Sequence, residues 1–207
     1  MSRLPPKWSS EWKRRETEIK GRLDEFSRVP VSEHFYELCF CILTPQSKAR
    51  HAERVVCELK CDKFYERGFD PTPYLRNPKN YIRFHNTKSK RLLRVRAVFP
   101  KIAAKIHNSD SSVLLRRELI ELIPGFGMKE SSHFLRNIGV HGLAIIDRHV
   151  AKHLKQLGLI PKIPKTISKK QYLEIEKKWH SFAKKVGISL DELDLLFWSM
   201  ETGEVRK

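Results

Sequence analysis

The stretch that decides the fold lies past the middle of the chain and reads Leu122-Ile123-Pro124-Gly125-Phe126-Gly127-Met128-Lys129. It joins two segments whose apolar residues recur at helical spacing. The Pro-Gly pair is typical of a tight turn, because proline restricts φ and glycine tolerates positive φ. The stretch therefore predicts a hairpin between two helices.

The same hairpin is a candidate phosphate-binding element. Gly125 and Gly127 allow positive φ and close approach of the backbone to a ligand. The amides around Met128 lie at the start of the following helix, where an anion is favoured. Such an element holds a nucleic-acid backbone without reading its sequence. A plain helix–helix turn is the alternative, and the charge of this chain favours the phosphate interpretation.

Two side chains near the hairpin suggest covalent chemistry on a sugar. Lys129 lies at the start of the second helix, and a neutral lysine amine can attack an anomeric carbon and form a Schiff base with the opened sugar. Asp147 follows eighteen residues later. It is predicted to cap the next helix, and its carboxylate can also stabilise positive charge on a sugar or help activate the lysine. A solvated lysine and a purely structural cap are the alternatives.

The charge of the chain points to a polyanionic partner. The 207 residues include 41 Lys and Arg against 24 Asp and Glu, a formal net charge of +17. The basic residues are spread along the chain, which favours a folded basic surface over a disordered arm. Nucleic acid and an anionic membrane are the two partners of this kind. A generally basic proteome is the alternative explanation.

Several classes of protein are disfavoured by composition. No run approaches the roughly 18–20 apolar residues of a membrane span, and residues 1–20 lack the apolar region of a signal peptide. We therefore expect a soluble, intracellular protein. The four cysteines all fall in the first third of the chain, in apolar or helical context, and are expected to be reduced: Cys39, Cys41, Cys57 and Cys61.

Helical periodicity dominates the chain, and no alternating strand pattern is found, so the predicted fold class is all-α. Helices are predicted from about residue 32 to 43, from 47, from 87 to 106 with a break or kink at Pro100, from 111 to 123 and from 129 to 137. Residues 71–78 are predicted to be a loop rich in proline.

The last three helices have clear start signals. Asp147, Ser168 and Ser189 are candidate N-caps, and Ser189 with Glu192 has the spacing of a capping box. The helix that begins at Ser168 is predicted to bury its apolar residues and to end at Gly187. Those apolar residues are Leu173, Ile175, Trp179 and Phe182.

Three ordered motifs resemble the DNA glycosylase superfamily that includes endonuclease III. The hairpin with the loop from Gly139 to Asp147 is similar to its helix-hairpin-helix and catalytic aspartate. Residues 84–90 resemble its Tyr-Asn-x-Lys-Ala helix start, and residues 42–47 its Leu-Ser-x-Gln helix end. The resemblance covers about residues 35–155. It implies a two-lobed all-α fold with the active site in the cleft between lobes, one lobe of residues 30–141 and one of 1–29 with 142–207.

The resemblance also implies catalytic roles. In this superfamily a lysine at the position of Lys129 marks members that are both glycosylase and abasic-site lyase. Endonuclease III members usually carry four cysteines after the aspartate, and this chain has none after Cys61. The chain lacks these four cysteines, is short and has the terminal Lys207. In these features it resembles the type 2, archaeal-like 8-oxoguanine DNA glycosylases, in which the C-terminal lysine and its carboxylate recognise the base.

That recognition has a chemical basis, since 8-oxoguanine carries an N7–H donor where guanine has a lone pair. The base must leave the stack, so residues are expected to hold it and to fill the gap. Candidates for the base site are Lys207, Trp198, Phe84 and His133, and for insertion Gln46 and Asn86. A core role for Trp198, a frayed terminus for Lys207 and helix-terminal or filler roles for the others are the alternatives.

No side-chain metal site or diffusible cofactor is expected. His149 and His153 lack a third ligand at suitable spacing for zinc. The resemblance implies instead a structural cation held by backbone carbonyls of the hairpin, at Glu121, Ile123 and Phe126.

The predicted function is therefore a monomeric base-excision-repair enzyme acting on double-stranded DNA. It excises 8-oxoguanine through Lys129 and Asp147 and nicks the abasic site by β-elimination. Two alternatives stay open: the same chemistry on oxidised pyrimidines, and a non-catalytic module that binds DNA structure.

Overall fold

The computed structural model describes residues 4–206. Within that range every regular element is helical and no strand occurs, which confirms the all-α prediction. The α-helices are α1 (Pro6–Ser27), α2 (His34–Leu43), α3 (Ala49–Cys61), α4 (Phe64–Arg67), α5 (Thr72–Arg76), α6 (His85–Asn108), α7 (Ser112–Leu122), α8 (Met128–Asn137), α9 (Arg148–Gln156), α10 (Lys169–Val186) and α11 (Leu190–Thr202). Two 3-10 turns add Val31–Glu33 and Pro78–Asn80.

The chain packs as two compact units. The central unit comprises residues 30–134, and the terminal unit comprises residues 1–29 with 135–207. Residues 135–141, which the resemblance places in the central lobe, pack with the terminal unit. The reason is local, since the Arg136 guanidinium lies 4.8 Å from the centre of the Phe26 ring and Gly139 meets the backbone of Ser27.

The central unit is built around α2. The apolar residues Phe35, Leu38, Cys39, Ile42 and Leu43 are all buried. Helix α2 packs against α3 and α6. Because α2 is apolar on nearly every side, it forms the centre of this unit rather than its surface.

Two parts of the central unit differ from the sequence prediction. Helix α6 continues through Pro100 to Asn108 instead of breaking there. Pro100 is exposed, while Phe99 and Ile102 on either side of it are buried and keep the helix in contact with the core. The predicted loop of residues 71–78 contains the short helix α5, anchored by the buried Leu75, and the short helix α4, anchored by the buried Phe64, precedes it.

The terminal unit is organised by α11, which contacts α1, α9 and α10. The Phe197 ring stacks between two partners, with centroid distances of 4.7 Å to His153 and 5.9 Å to Trp179. Trp8 of α1 donates a 2.9 Å hydrogen bond to Nδ1 of His153. Helix α1 has no counterpart in the sequence prediction, because half of its residues are charged and only Trp8, Ile19 and Phe26 are buried.

The end of α8 depends on Gly139. Its φ is +81°, and Val140 N donates to Leu135 O at 2.9 Å, closing the helix in a Schellman arrangement. A β-carbon at this position would lie 2.8 Å from Cα of Ser27. Backbone cannot move aside as a flexible side chain can, so this glycine has a steric role in addition to its dihedral angle.

We expect Gly139→Ala to destabilise the protein by about 3 kcal/mol, from the left-handed strain and the overlap with α1. Gly187→Ala is the matched control, since φ is +72° and nothing lies within 4 Å of its added β-carbon. It should cost only about 1 kcal/mol. Urea denaturation measures both, and equal losses would show that the Ser27 contact is unimportant.

Candidate functional site

The hairpin between α7 and α8 is a tight turn. Phe126 N donates to Ile123 O at 3.0 Å, and Gly125 has φ of +75°. Pro124 at the second position and a positive φ at the third are the requirements of a type II turn. Ile123 and Phe126 are buried, so the turn is anchored at both sides while Pro124 and Gly125 are exposed.

Arg91 of α6 lies against this turn, a residue that sequence reasoning missed. A β-carbon on Gly125 would collide with the Arg91 guanidinium. Gly125 therefore provides the left-handed φ of the turn and leaves space for the Arg91 guanidinium beside the hairpin. The only signal in the sequence is the basic character of α6, which does not single out one arginine.

The second glycine of the hairpin has a different backbone conformation from the one predicted. Gly127 is not among the residues with positive φ. Its amide donates to Oε2 of Glu130 at 3.2 Å, which is half of a capping box. A phosphate at this amide would have to displace a carboxylate. Phosphate binding by Gly125, Gly127 and Met128 stays a prediction.

Lys129 is the second residue of α8 and is half-buried. Its ammonium group forms no hydrogen bond or ion pair with any residue in the range 4–206. One turn later, His133 is buried and lies edge-on to Phe40, with ring centroids 6.0 Å apart. Arg116 donates to Ser132 at 3.1 Å and ties α8 to α7. Helix α8 thus carries a lysine whose amine has no partner among the described residues.

Two loops of the central unit present exposed residues in left-handed conformation. Gln46 has φ of +57° and Phe84 has φ of +60°, and Phe84 is 49% exposed. Both conformations are costly for non-glycine residues, so they require support from their surroundings. Asn86 is exposed on the first turn of α6.

Lys88 provides that support. Its buried ammonium donates to Leu43 O and Pro45 O, each at 2.7 Å, and to Ser47 Oγ at 3.1 Å. Removal from water lowers the pKa of Lys88 to about 8, and the nearby Arg91 charge adds to this. Lys88 therefore connects the start of α6 to the loop that contains Gln46. The sequence analysis included Lys88 in a motif without assigning it a role.

Asp147 follows a buried irregular segment of the terminal unit. Residues 143–146 are buried and run without regular structure into α9. Oδ1 of Asp147 accepts a 2.8 Å hydrogen bond from Val150 N, which confirms the predicted N-cap. The side chain is half-buried. Its other oxygen has no hydrogen-bond partner within the described part of the chain and is available to a substrate.

Side chains of α10 and α11 hold this segment. Glu176 accepts from Ala144 N at 2.8 Å. Tyr172 donates to Ala144 O at 2.6 Å and accepts from Ile146 N at 3.1 Å. Asp191 accepts from Gly142 N at 2.9 Å, and burial raises the pKa of its carboxyl.

These contacts correct the predicted face of α10. The buried residues are Tyr172, Glu176, Trp179 and Ala183, whereas Leu173 is 41% exposed. Hydrogen bonding to the backbone of residues 144–146 places two polar side chains inside. Sequence reasoning missed Tyr172 and Glu176 because it ranked positions by apolarity, although their spacing of four residues places them on one helical face.

The remaining predicted base-site residues are only partly described. Trp198 is half-buried on α11, while the adjacent Phe197 belongs to the core. Lys207 lies outside the described residues. Val205 is buried, so the described chain is packed against the terminal unit near its end.

Residues 4–206 contain no group of three or more His, Cys, Asp or Glu side chains placed to hold a metal ion. At the hairpin, Ile123 O already accepts the Phe126 amide, and backbone coordination by Glu121, Ile123 and Phe126 stays a prediction. Among the helices of the described range, none is both long and apolar enough to cross a membrane.

The two units divide the predicted site residues between them. The central unit contains the hairpin, Lys129, His133 and the loops with Gln46, Phe84 and Asn86. The terminal unit contains Asp147 and Trp198.

Comparison with known proteins gives a consistent family. A helix-hairpin-helix family model described as 8-oxoguanine DNA glycosylase matches residues 19–188. An 8-oxoguanine DNA glycosylase/AP lyase of Fusobacterium nucleatum is 38% identical over 206 residues, covering 95% of this chain and 94% of the relative.

Two solved structures are similar along nearly the whole chain. The Methanocaldococcus jannaschii 8-oxoguanine glycosylase/lyase, in complex with a 15mer DNA containing 8-oxoguanine, has a TM-score of 0.85 and 34% identity, covering 97% of this chain and 98% of that one. The 8-oxoguanine DNA glycosylase of Thermotoga maritima has a TM-score of 0.86 and 30% identity, with 97% of each chain covered.

Proposed function

Because the chain belongs to the helix-hairpin-helix 8-oxoguanine DNA glycosylase family, we propose that it excises 8-oxoguanine from double-stranded DNA and cleaves the resulting abasic site. The observation that carries this proposal is Lys129. Its side chain is half-buried in the first turn after the hairpin, and its amine has no hydrogen-bond or ion-pair partner among residues 4–206. A lysine in that state is available as a nucleophile.

The proposed reaction begins with attack of the Lys129 amine on C1′ of the damaged nucleotide. The bond from C1′ to N9 breaks, and the base leaves with a proton. The sugar ring opens to a Schiff base with Lys129. Loss of a C2′ proton then breaks the C3′–O3′ bond by β-elimination, which nicks the strand 3′ to the lesion. None of these reaction steps uses a diffusible cofactor.

Asp147 is proposed to stabilise the positive charge that develops on the sugar as the base departs. Its cap uses one carboxylate oxygen, so the second remains for this purpose. The negative charge must be present in the transition state, whereas the cap alone requires only an oxygen acceptor. This difference separates the two roles experimentally.

We infer that the lesion is reached by flipping the base out of the stack. Gln46 and Asn86 are proposed to occupy the gap, and the exposed, left-handed positions of Gln46 and Phe84 are compatible with contact to a duplex. Phe84, Trp198 and His133 are proposed to line the base site. The Lys207 carboxylate is proposed to accept the N7–H of 8-oxoguanine.

The distribution of charge supports DNA as the partner. Helix α1 carries six basic and five acidic residues, and ion pairs such as Arg15–Glu11 and Lys20–Glu16 join them. Helix α10 carries six lysines and two glutamates, and none of these lysines pairs with an acid in the described chain. Unpaired lysines favour a polyanion. We propose that the protein acts as a monomer on intracellular DNA, in the cytoplasm or nucleoid.

The function is tested with duplexes that contain 8-oxoguanine, guanine or thymine glycol at one site. We expect release of 8-oxoguanine at least about 100-fold faster than release of guanine, because a polar mismatch leaves a buried group unpaired. A chain lacking Lys207 should lose most of this discrimination. Single-turnover release of the base measures both.

Three results would redirect the proposal. Release of thymine glycol without 8-oxoguanine would assign oxidised pyrimidines as the substrate. Absence of any borohydride-trapped complex with lesion DNA would favour a non-catalytic DNA-binding module. Unchanged selectivity in the shortened chain would remove Lys207 from the base site.

A further inference from the structure

The buried face of α10 is joined to the backbone that leads to Asp147. Residues 143–146 have no regular secondary structure, and the N–H groups of Ala144 and Ile146 both donate to side chains of α10. The accepting residues are Tyr172 and Glu176, four residues apart on one face of α10. Both side chains are buried, with exposures of 4% and 7%.

The hydrogen bonds resemble the pairing of two strands, with helical side chains in place of the second strand. Tyr172 uses its hydroxyl twice, as a donor to Ala144 O and as an acceptor from Ile146 N. Glu176 accepts from Ala144 N. Ala144 and Ile146 are themselves buried, so these backbone groups have no access to water that could replace the side chains.

The next residue after this arrangement is Asp147. The backbone N–H of Asp147 donates a 3.2 Å hydrogen bond to Ile145 O. Val150 N, in the first turn of α9, donates to Oδ1. The position of the second carboxylate oxygen is thus set from two directions, by α9 through the cap and by α10 through the segment 144–146.

We propose that Tyr172 and Glu176 are positioning residues for Asp147. Resting on the proposed function, this deepens it by assigning the geometry of the carboxylate to α10. Loss of the Tyr172 hydroxyl leaves Ala144 O and Ile146 N short of a partner. The segment then shifts to recover hydrogen bonds, and the carboxylate moves with it. A displacement near 1 Å can cost about 100-fold in rate.

The test is a double-mutant cycle with Tyr172→Phe and Asp147→Asn, measured as single-turnover release of 8-oxoguanine at saturating protein. Tyr172→Phe keeps the ring and removes only the hydroxyl. We expect it to slow release by about 10- to 100-fold and to change the dissociation constant for lesion DNA by less than about threefold. In the Asp147→Asn background the additional effect should fall below about threefold, because there is no charge left to position.

The matched control is Tyr36→Phe. Tyr36 is buried in the central unit, and its hydroxyl also accepts from a backbone amide, Tyr65 N at 3.5 Å. Tyr36→Phe should leave the rate of release within about twofold of that of the unchanged protein. This result would show that loss of a buried tyrosine hydroxyl does not by itself slow release.

Glu176 gives an independent arm if Tyr172→Phe does not fold. Glu176→Gln retains an oxygen acceptor for Ala144 N and should preserve the rate within about threefold. Glu176→Met removes the acceptor and should slow release as Tyr172→Phe does.

Equal slowing by Tyr172→Phe in both Asp147 backgrounds would overturn the positioning role, as would a folded Tyr172→Phe protein with an unchanged rate. Failure of the proposed function has a separate signature. In that case Asp147→Asn would itself release 8-oxoguanine at the original rate, whatever the behaviour of Tyr172.

Discussion

Lys129→Gln is expected to abolish the covalent complex with lesion DNA and to lower release of 8-oxoguanine by at least about 10⁴-fold. Glutamine is close to lysine in length and keeps helix propensity, but it has no amine. Without the amine neither attack on C1′ nor a Schiff base is possible. Borohydride trapping measures the adduct, and single-turnover assays measure the released base.

The control for this substitution is Lys101→Gln, on the exposed surface of α6. It removes one positive charge from the same unit and should leave trapping and release within about twofold. The affinity of Lys129→Gln for lesion DNA should also be retained to within about fivefold, since a single phosphate contact contributes little. Release of base at the original rate, without strand cleavage, would contradict attack by Lys129 and restrict it to the lyase step.

Asp147→Asn is expected to slow release of 8-oxoguanine by about 10²- to 10³-fold, the usual effect of removing one electrostatic group from an active site. Asparagine and aspartate are equivalent as N-caps. The hydrogen bond from Val150 N to this side chain therefore survives, and the melting temperature should stay within about 2 °C.

Asp147→Ala separates catalysis from capping. It removes the charge and also the cap, so we expect a similar loss of rate together with a further loss of about 1 kcal/mol in the free energy of unfolding. If Asp147→Asn keeps both its stability and its rate of release while Asp147→Ala loses both, Asp147 is only a structural cap. A rate that follows charge supports its proposed role on the sugar.

The helices were predictable where their signals are local. The cap at Asp147, the capping box at Ser189 and the left-handed Gly187 depend on residues within four positions of one another, and the structure confirms each. The core positions of α2 were also predictable, because an apolar run of this density is buried wherever it packs.

Errors arose where distant residues decide the outcome. The buried face of α10 depends on hydrogen-bonding groups of residues 144–146, nearly thirty positions away from Tyr172. Helix α1 packs against α11, at the other end of the chain, and its buried Trp8 and Phe26 contact His153 of α9 and Arg136 of α8. Neither set of contacts produces a periodic pattern of apolar residues in the sequence.

By itself the sequence determined the all-α class, the hairpin and the two residues proposed for catalysis. The class follows from helical periodicity, and the hairpin and the two residues follow from short-range chemistry: turn residues with restricted φ, an amine at a helix start and a carboxylate at a cap. Only the tertiary structure decided how these groups are held. Arg91 lies beside Gly125, Lys88 connects the two exposed loops, and α10 supplies the hydrogen bonds that a partner strand would otherwise provide. The contacts of Lys88 and of α10 satisfy buried polar groups through partners distant in sequence, a requirement that becomes visible only when the chain is folded.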